Sequence, residues 1–192
     1  PQAVVGQLWV VLVGKGSLQG PDDGLGVGVD EGHCTEVPHA GQDPALGEGG
    51  VQVGVVLVEH GDGVGRLSCI DAENGEVVWK YTDVGRTIST VSVHDDLVYV
   101  AEYAGLIHCL DANDGKLYWT YDSFSRIWGS TLVAGGKVLL GNEDGDLLIL
   151  DHGKAEPKVE SVNMGAPVYS SPVYVNGTLY VATQTHLYAI GE

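Results

Sequence analysis

Arg86 and Arg126 stand forty residues apart in a chain of 192 residues whose acidic side chains outnumber its Lys and Arg by 26 to 9. Two guanidiniums in matched positions offer planar, paired donors of the kind that grip a carboxylate. They are therefore a candidate site for an anion such as a carboxylated quinone or a peptide C-terminus. Trp128, two positions after Arg126, would add a stacking face. The competing reading pairs each Arg with a nearby acid, Asp83 or Asp122. Asn142-Glu143-Asp144-Gly145-Asp146 collects the oxygen ligands that calcium prefers. It lacks EF-hand spacing, and Asp, Asn and Gly are ordinary turn formers, so a solvated turn is expected there and no metal site is assigned. His33, Cys34 and His39 are metal-ligand types without a fourth ligand at a known spacing. His94, His108, His152 and His186 are spread over turns and strands without a triad partner, so no catalytic residue is assigned.

The elements that would position these residues show as a repeat. Gly65-Arg-Leu-Ser-Cys-Ile-Asp-Ala-Glu-Asn-Gly-Glu-Val-Val-Trp-Lys-Tyr81 recurs forty positions later as Gly105-Leu-Ile-His-Cys-Leu-Asp-Ala-Asn-Asp-Gly-Lys-Leu-Tyr-Trp-Thr-Tyr121. A third copy keeps Gly145, Leu147, Leu150 and Asp151 but loses the turn Gly and the Trp, and a fourth keeps Leu187 and Ile190. Within each copy apolar residues alternate with period two, as in half-buried strands: Val91 to Val93, Leu97 to Val100, Leu106 to Leu110, Leu117 to Trp119. Hairpin turns are expected between them at His94-Asp95-Asp96, Asn74-Gly75, Asp114-Gly115, Gly135-Gly136 and Asn176-Gly177, where Gly and Asn tolerate positive φ. No stretch holds a capped 3.6-residue period, so no long helix is expected.

These features predict an all-β fold: a partial β-propeller of four-stranded antiparallel blades with a forty-residue repeat, about three to four blades being present. A blade has two apolar faces and depends on its neighbours to cover them, so the repeats of residues 61–192 are read as a fragment of a larger ring. The remaining blades would come from sequence outside this chain. Cys69 and Cys109 occupy equivalent places on adjacent blades, too far apart for a disulfide, and are read as small buried core residues.

The formal charge of −17 argues against nucleic acid, which needs clustered Lys and Arg, and against an anionic membrane surface. No run of apolar residues is long enough to span a bilayer, and no signal peptide is visible in this chain. Residues 1–60 stand apart. They are rich in Gly and Val, with Trp9 as the one aromatic residue of the Phe, Tyr and Trp class, no Ile, and Lys15 as the one Lys or Arg. They read either as a degenerate blade or as a segment foreign to the native protein, and poor order is expected there. Val51 to Val58 would serve as a strand of the first blade.

The motif Leu-x-Cys-Ile/Leu-Asp-Ala-x-x-Gly-x-x-x-Trp, met at Cys69 to Trp79 and at Cys109 to Trp119, resembles the repeat of the pyrroloquinoline-quinone (PQQ)-like β-propellers. That family includes quinoprotein dehydrogenases and BamB-type outer-membrane assembly lipoproteins. The resemblance implies that Trp79 and Trp119, on outermost strands, dock against the neighbouring blade. It also implies that Asp71 with Gly75 and Asp111 with Gly115 shape the turn between the last two strands. The third copy departs from this at Asp151-His-Gly-Lys-Ala-Glu-Pro157, so a looser outer edge is expected. A PQQ dehydrogenase should also carry a calcium site, a catalytic Asp and often a vicinal Cys-Cys pair, and no adjacent cysteines occur here. The resemblance therefore favours a non-enzymatic, BamB-like scaffold for protein or peptide partners, periplasmic or otherwise extracytoplasmic, with no cofactor. The alternatives are a fragment of a PQQ-dependent dehydrogenase, which would take PQQ with calcium, and a ligand-sensing or carbohydrate-binding propeller.

Overall fold

The computed structural model describes residues 11–13, 54–60, 65–71 and 74–191. His33, Cys34 and His39 lie outside the described residues. All regular structure among the described residues is strand, in four antiparallel sheets. The first holds β1 (Val11–Val13), β2 (Gly54–His60), β3 (Gly65–Asp71) and β4 (Val77–Tyr81). The second holds β5 (Ser92–His94), β6 (Leu97–Ala101), β7 (Leu106–Asp111) and β8 (Leu117–Asp122). The third holds β9 (Leu132–Ala134), β10 (Lys137–Gly141), β11 (Asp146–Asp151) and β12 (Val159–Asn163), and the fourth β13 (Val173–Val175), β14 (Thr178–Ala182) and β15 (Leu187–Ile190). Each sheet is a meander in sequence order, the blade of a β-propeller. The strand Val11–Val13 completes the first sheet by pairing with Gly54–His60, with Val11 opposite Val56. No helix among the described residues is long and apolar enough to cross a membrane.

The short strand β9 neighbours both β5 and β13, and these three form the inner ends of the second, third and fourth blades. Hydroxyls tie these inner segments together. Thr90 Oγ1 donates to Ser130 Oγ (2.9 Å), the Ser130 amide to Ser171 Oγ (2.8 Å), and Ser92 Oγ to the Thr131 carbonyl (2.6 Å). Such side-chain bonds satisfy polar groups near the axis that no strand ladder reaches.

The core lies between blades. Leu67, Cys69, Trp79, Val98, Val100 and Leu110 pack the first blade on the second, and Tyr99, Ile107, Cys109, Trp119, Leu140 and Leu150 pack the second on the third. Leu147, Met164, Val168 and Val181 join the third to the fourth. Every residue of β6 is buried, because Val98 and Val100 face one neighbouring blade while Leu97, Tyr99 and Ala101 face the other. A central strand of a blade covered on both sides has no solvent face, so the half-buried pattern expected from alternation gives way to full burial.

The turns follow the expected chemistry. The β5–β6, β9–β10 and β13–β14 hairpins are two-residue turns with both residues left-handed: Asp95 and Asp96, Gly135 and Gly136, Asn176 and Gly177. Positive φ at both central positions is the primed turn whose twist matches that of the strands. At the β7–β8 turn the Gly115 amide donates to the Asp111 carbonyl (2.9 Å), and Gly115 takes φ 72°.

Candidate functional site

The joints between blades place the docking residues. Trp79 Nε1 donates to the Ala112 carbonyl of the next blade, and Trp119 Nε1 to the Gly153 carbonyl, each at 2.9 Å. A Cβ on Gly115 would sit 2.6 Å from Trp79 Cε3, so the indole lies directly on the turn glycine. At Gly75, in the same turn of the first blade, nothing described comes within 4 Å of that place. Asp111 holds its turn through Oδ1, which accepts from the Asn113 amide (2.8 Å), while Oδ2 accepts from the Tyr118 hydroxyl (2.6 Å). The Tyr118 bond, with Asn113 and the Lys154 ammonium, keeps this carboxyl well below its ordinary range. The third blade has a longer loop before β12, with Glu160 opposite Ile149 where the earlier blades set Trp opposite Cys, and still forms its outer strand.

At the opposite rim, Arg86, Arg126 and Trp128 gather around one residue that the sequence did not single out, Tyr103. The Cζ atoms of both arginines lie 5.4 Å from the Tyr103 ring centroid. Trp128 meets the same ring edge-on at 5.0 Å and Tyr169 at 5.5 Å. Trp128 remains 41% and Tyr169 36% exposed. Tyr103 belongs to the β6–β7 turn, whereas both Arg residues precede inner strands. Backbone bonds hold these loops together: the Tyr103 amide donates to the Arg86 carbonyl (2.7 Å), the Ile127 amide to the Tyr103 carbonyl (3.2 Å), and the Glu143 amide to the Arg126 carbonyl (2.8 Å). Arg126 approaches Glu143 at 3.8 Å rather than Asp122, and Arg86 makes no ion pair among the described residues. The register explains why Tyr103 escaped notice, since a turn tyrosine carries no motif until the loops meet.

In the turn from Asn142 to Asp146 several side-chain oxygens have partners within the protein. Asn142 Oδ1 accepts from the Asp146 amide (2.8 Å), Asp146 Oδ1 from Asn163 Nδ2 (2.9 Å), and Glu143 faces Arg126. These bonds are those of a hydrogen-bonded turn, with Glu143 reaching the Arg126 loop. Cys69 and Cys109 are free and buried. Burial pushes the Cys109 thiol up to about 11, which leaves it an inert core group.

Two histidine sites were invisible in the sequence. His108 Nε2 donates to Glu102 Oε1 (2.8 Å), which also accepts the Gly85 amide (2.7 Å), and His108 Nδ1 lies 3.2 Å from the Tyr81 hydroxyl. Burial pushes the Glu102 carboxyl up, but the bonds from His108 and Gly85 outweigh it and leave the group lowered. Burial, then Asp83 and Glu102, pushes the Tyr81 phenol up to about 12. This buried relay joins the first two blades, and His108 Nδ1 also lies 3.3 Å from the hydroxyl of the exposed Thr120. The second site brings His94, Asp95 and His152 together at the second-to-third blade joint.

A family model described as outer membrane protein assembly factor BamB matches residues 36–101 and 63–191. This chain belongs to that family. Among solved structures, BamB from Moraxella catarrhalis is 24% identical, with a TM-score of 0.60 over 72% of this chain and 42% of that one. Quinohemoprotein alcohol dehydrogenase from Comamonas testosteroni is 19% identical, with a TM-score of 0.57 over 69% of this chain and 28% of that one. The computationally designed Ika4 protein, 14% identical, gives 0.59 over 72% and 86%. These likenesses show the PQQ-like propeller fold, and this BamB-family chain spans less than half the length of the Moraxella protein. No curated protein matches the sequence.

Proposed function

We propose that this BamB-family chain is a non-enzymatic propeller scaffold that binds a protein partner through the surface built on Arg86, Tyr103, Arg126, Trp128 and Tyr169, in extracytoplasmic assembly of outer-membrane proteins. The observation that carries the reading is the arrangement of two guanidiniums and the exposed Trp128 ring around Tyr103, with the exposed Tyr169 ring against Trp128. Trp, Tyr and Arg are the residue types that dominate interface energies, and they do so when held rigid before the partner arrives. In a chain of charge −17 this is a local cationic spot, suited to an acidic segment or a chain-terminal carboxylate. The family description supplies the kind of partner, and further blades of the ring would cover Gly75 and the exposed sheet of β13–β15.

Photo-crosslinking from position 128 of the intact protein, in cells that assemble outer-membrane proteins, tests this. An adduct with an outer-membrane protein or its assembly machinery is expected from position 128, with none from Lys158 on the outer edge, and Arg86→Ala with Arg126→Ala should abolish it. Equal crosslinking from both positions, or an adduct indifferent to the Arg changes, would refute the surface. Fluorescence titration with PQQ and calcium separates the enzyme alternative, and saturable binding by the intact protein would favour a dehydrogenase.

A further inference from the structure

We propose that His94, Asp95 and His152 form a divalent transition-metal site, best suited to zinc, that staples the second blade to the third. His94 Nε2 and His152 Nε2 each lie 3.5 Å from Asp95 Oδ2, and one ligand atom from each residue falls within 4.8 Å of the other two. A tetrahedral ion with metal–ligand distances of about 2.1 Å separates its ligands by roughly 3.4 Å. The two nitrogen–oxygen spacings are therefore already those of a loaded site. Two imidazoles and one carboxylate select a borderline ion over calcium or magnesium, and the exposure of His94 and Asp95 leaves a fourth position for water.

Three further observations set this trio apart from a chance surface contact. The His152 ring is fixed from behind: its Nδ1 is 2.7 Å from the hydroxyl of Tyr99, a fully buried residue that also accepts the Gly153 amide (3.0 Å). A ring held by its other nitrogen is what orients a ligating histidine. The turn that carries Asp95 is also unusual. Its two left-handed residues are Asp95 (φ 47°) and Asp96 (φ 57°), whereas the equivalent hairpins use Gly135-Gly136 and Asn176-Gly177. A strained turn without glycine persists where its side chains have a task. Finally, all three ligands break the repeat together. Ala134 and Val175 stand at the position of His94, and Ala112 at that of His152.

The site lies at the rim opposite the Arg–Tyr surface, since the β5–β6 turn and the β6–β7 turn close opposite ends of β6. Its occupation would lock the joint where Trp119 Nε1 meets the Gly153 carbonyl.

Zinc titration of the full chain, without a histidine tag and freed of metal by chelation, tests the proposal against His94→Gln, Asp95→Asn and His152→Gln. Asp95→Asn keeps a residue that tolerates the left-handed backbone, and His94 is exposed, so both variants should fold even if His152→Gln does not. One zinc per chain is expected, with affinity weakened about tenfold or more in each variant and a zinc-dependent rise in Tm in the parent alone. Cobalt should give the visible absorption of a four-coordinate ion. Unchanged zinc affinity in Asp95→Asn and His94→Gln would overturn the proposal, as would absence of zinc binding by the parent. Loss of binding only when His33, Cys34 and His39 are replaced would do the same.

Discussion

Trp119 holds two blades by different means at once. Its ring is 6% exposed within the apolar cluster of Tyr99, Leu140 and Leu150, and its indole nitrogen donates across the joint to Gly153. Removing the ring forfeits its burial and leaves a cavity that blades pinned at the inner strands cannot close. Trp119→Ala should therefore destabilise the protein by about 3–5 kcal/mol in urea unfolding. A loss below about 1 kcal/mol would mean that the joint does not depend on this ring. Trp79 makes the same joint one blade earlier, where Gly115 leaves room for it. Both were marked in the sequence by a recurring motif, and their docking role was implied by its resemblance to the PQQ-like repeat.

Each two-residue hairpin requires positive φ twice, and the second blade meets that requirement with Asp95-Asp96 alone. An L residue other than glycine held there costs on the order of 1–2 kcal/mol, less for Asp, whose side chain bonds locally. Asp96→Gly should then raise stability by about 0.5–1 kcal/mol, read as a higher urea midpoint at unchanged m-value. Asp96 is not a ligand of the proposed metal site, so zinc affinity should not fall. A destabilised Asp96→Gly would show that this side chain holds the turn through more than its backbone. The turn positions were readable from Gly, Asn and Asp, yet the pairing of Asp95 with two histidines was not. One ligand comes from the following blade, fifty-seven positions further along the chain than Asp95.

Across the whole molecule, stability rests on blades covering one another. The strand β6 is buried throughout, whereas Val173, Tyr174, Val175 and Leu187 of the fourth sheet are exposed. The same joints set the response to acid. Glu102, between the first two blades, and Asp111, between the second and third, both have folded values below their ordinary ones. A group lowered on folding stabilises the native state above its unfolded pKa, about 4 for these carboxyls, and that contribution is lost as pH falls through the folded value. The urea midpoint should accordingly hold down to about pH 5 and decline below about pH 4. Glu102→Gln, measured over the same range, should decline less steeply, and an identical acid slope would remove Glu102 as a cause.

The amino-acid order alone determined the blade. Period-two runs, paired turn residues and a forty-residue return of Gly, Asp and Trp are local instructions, each legible within a few residues. It also marked Arg86 and Arg126, because they share a register, and Trp128, because it stands beside Arg126. Tertiary structure alone decided that Tyr103 and Tyr169 complete that cluster, that Glu102 and His108 pair in the core, and that His94, Asp95 and His152 converge. Each of these groupings joins segments that only the packing of turns or neighbouring sheets brings side by side, and such proximity has no period along the chain.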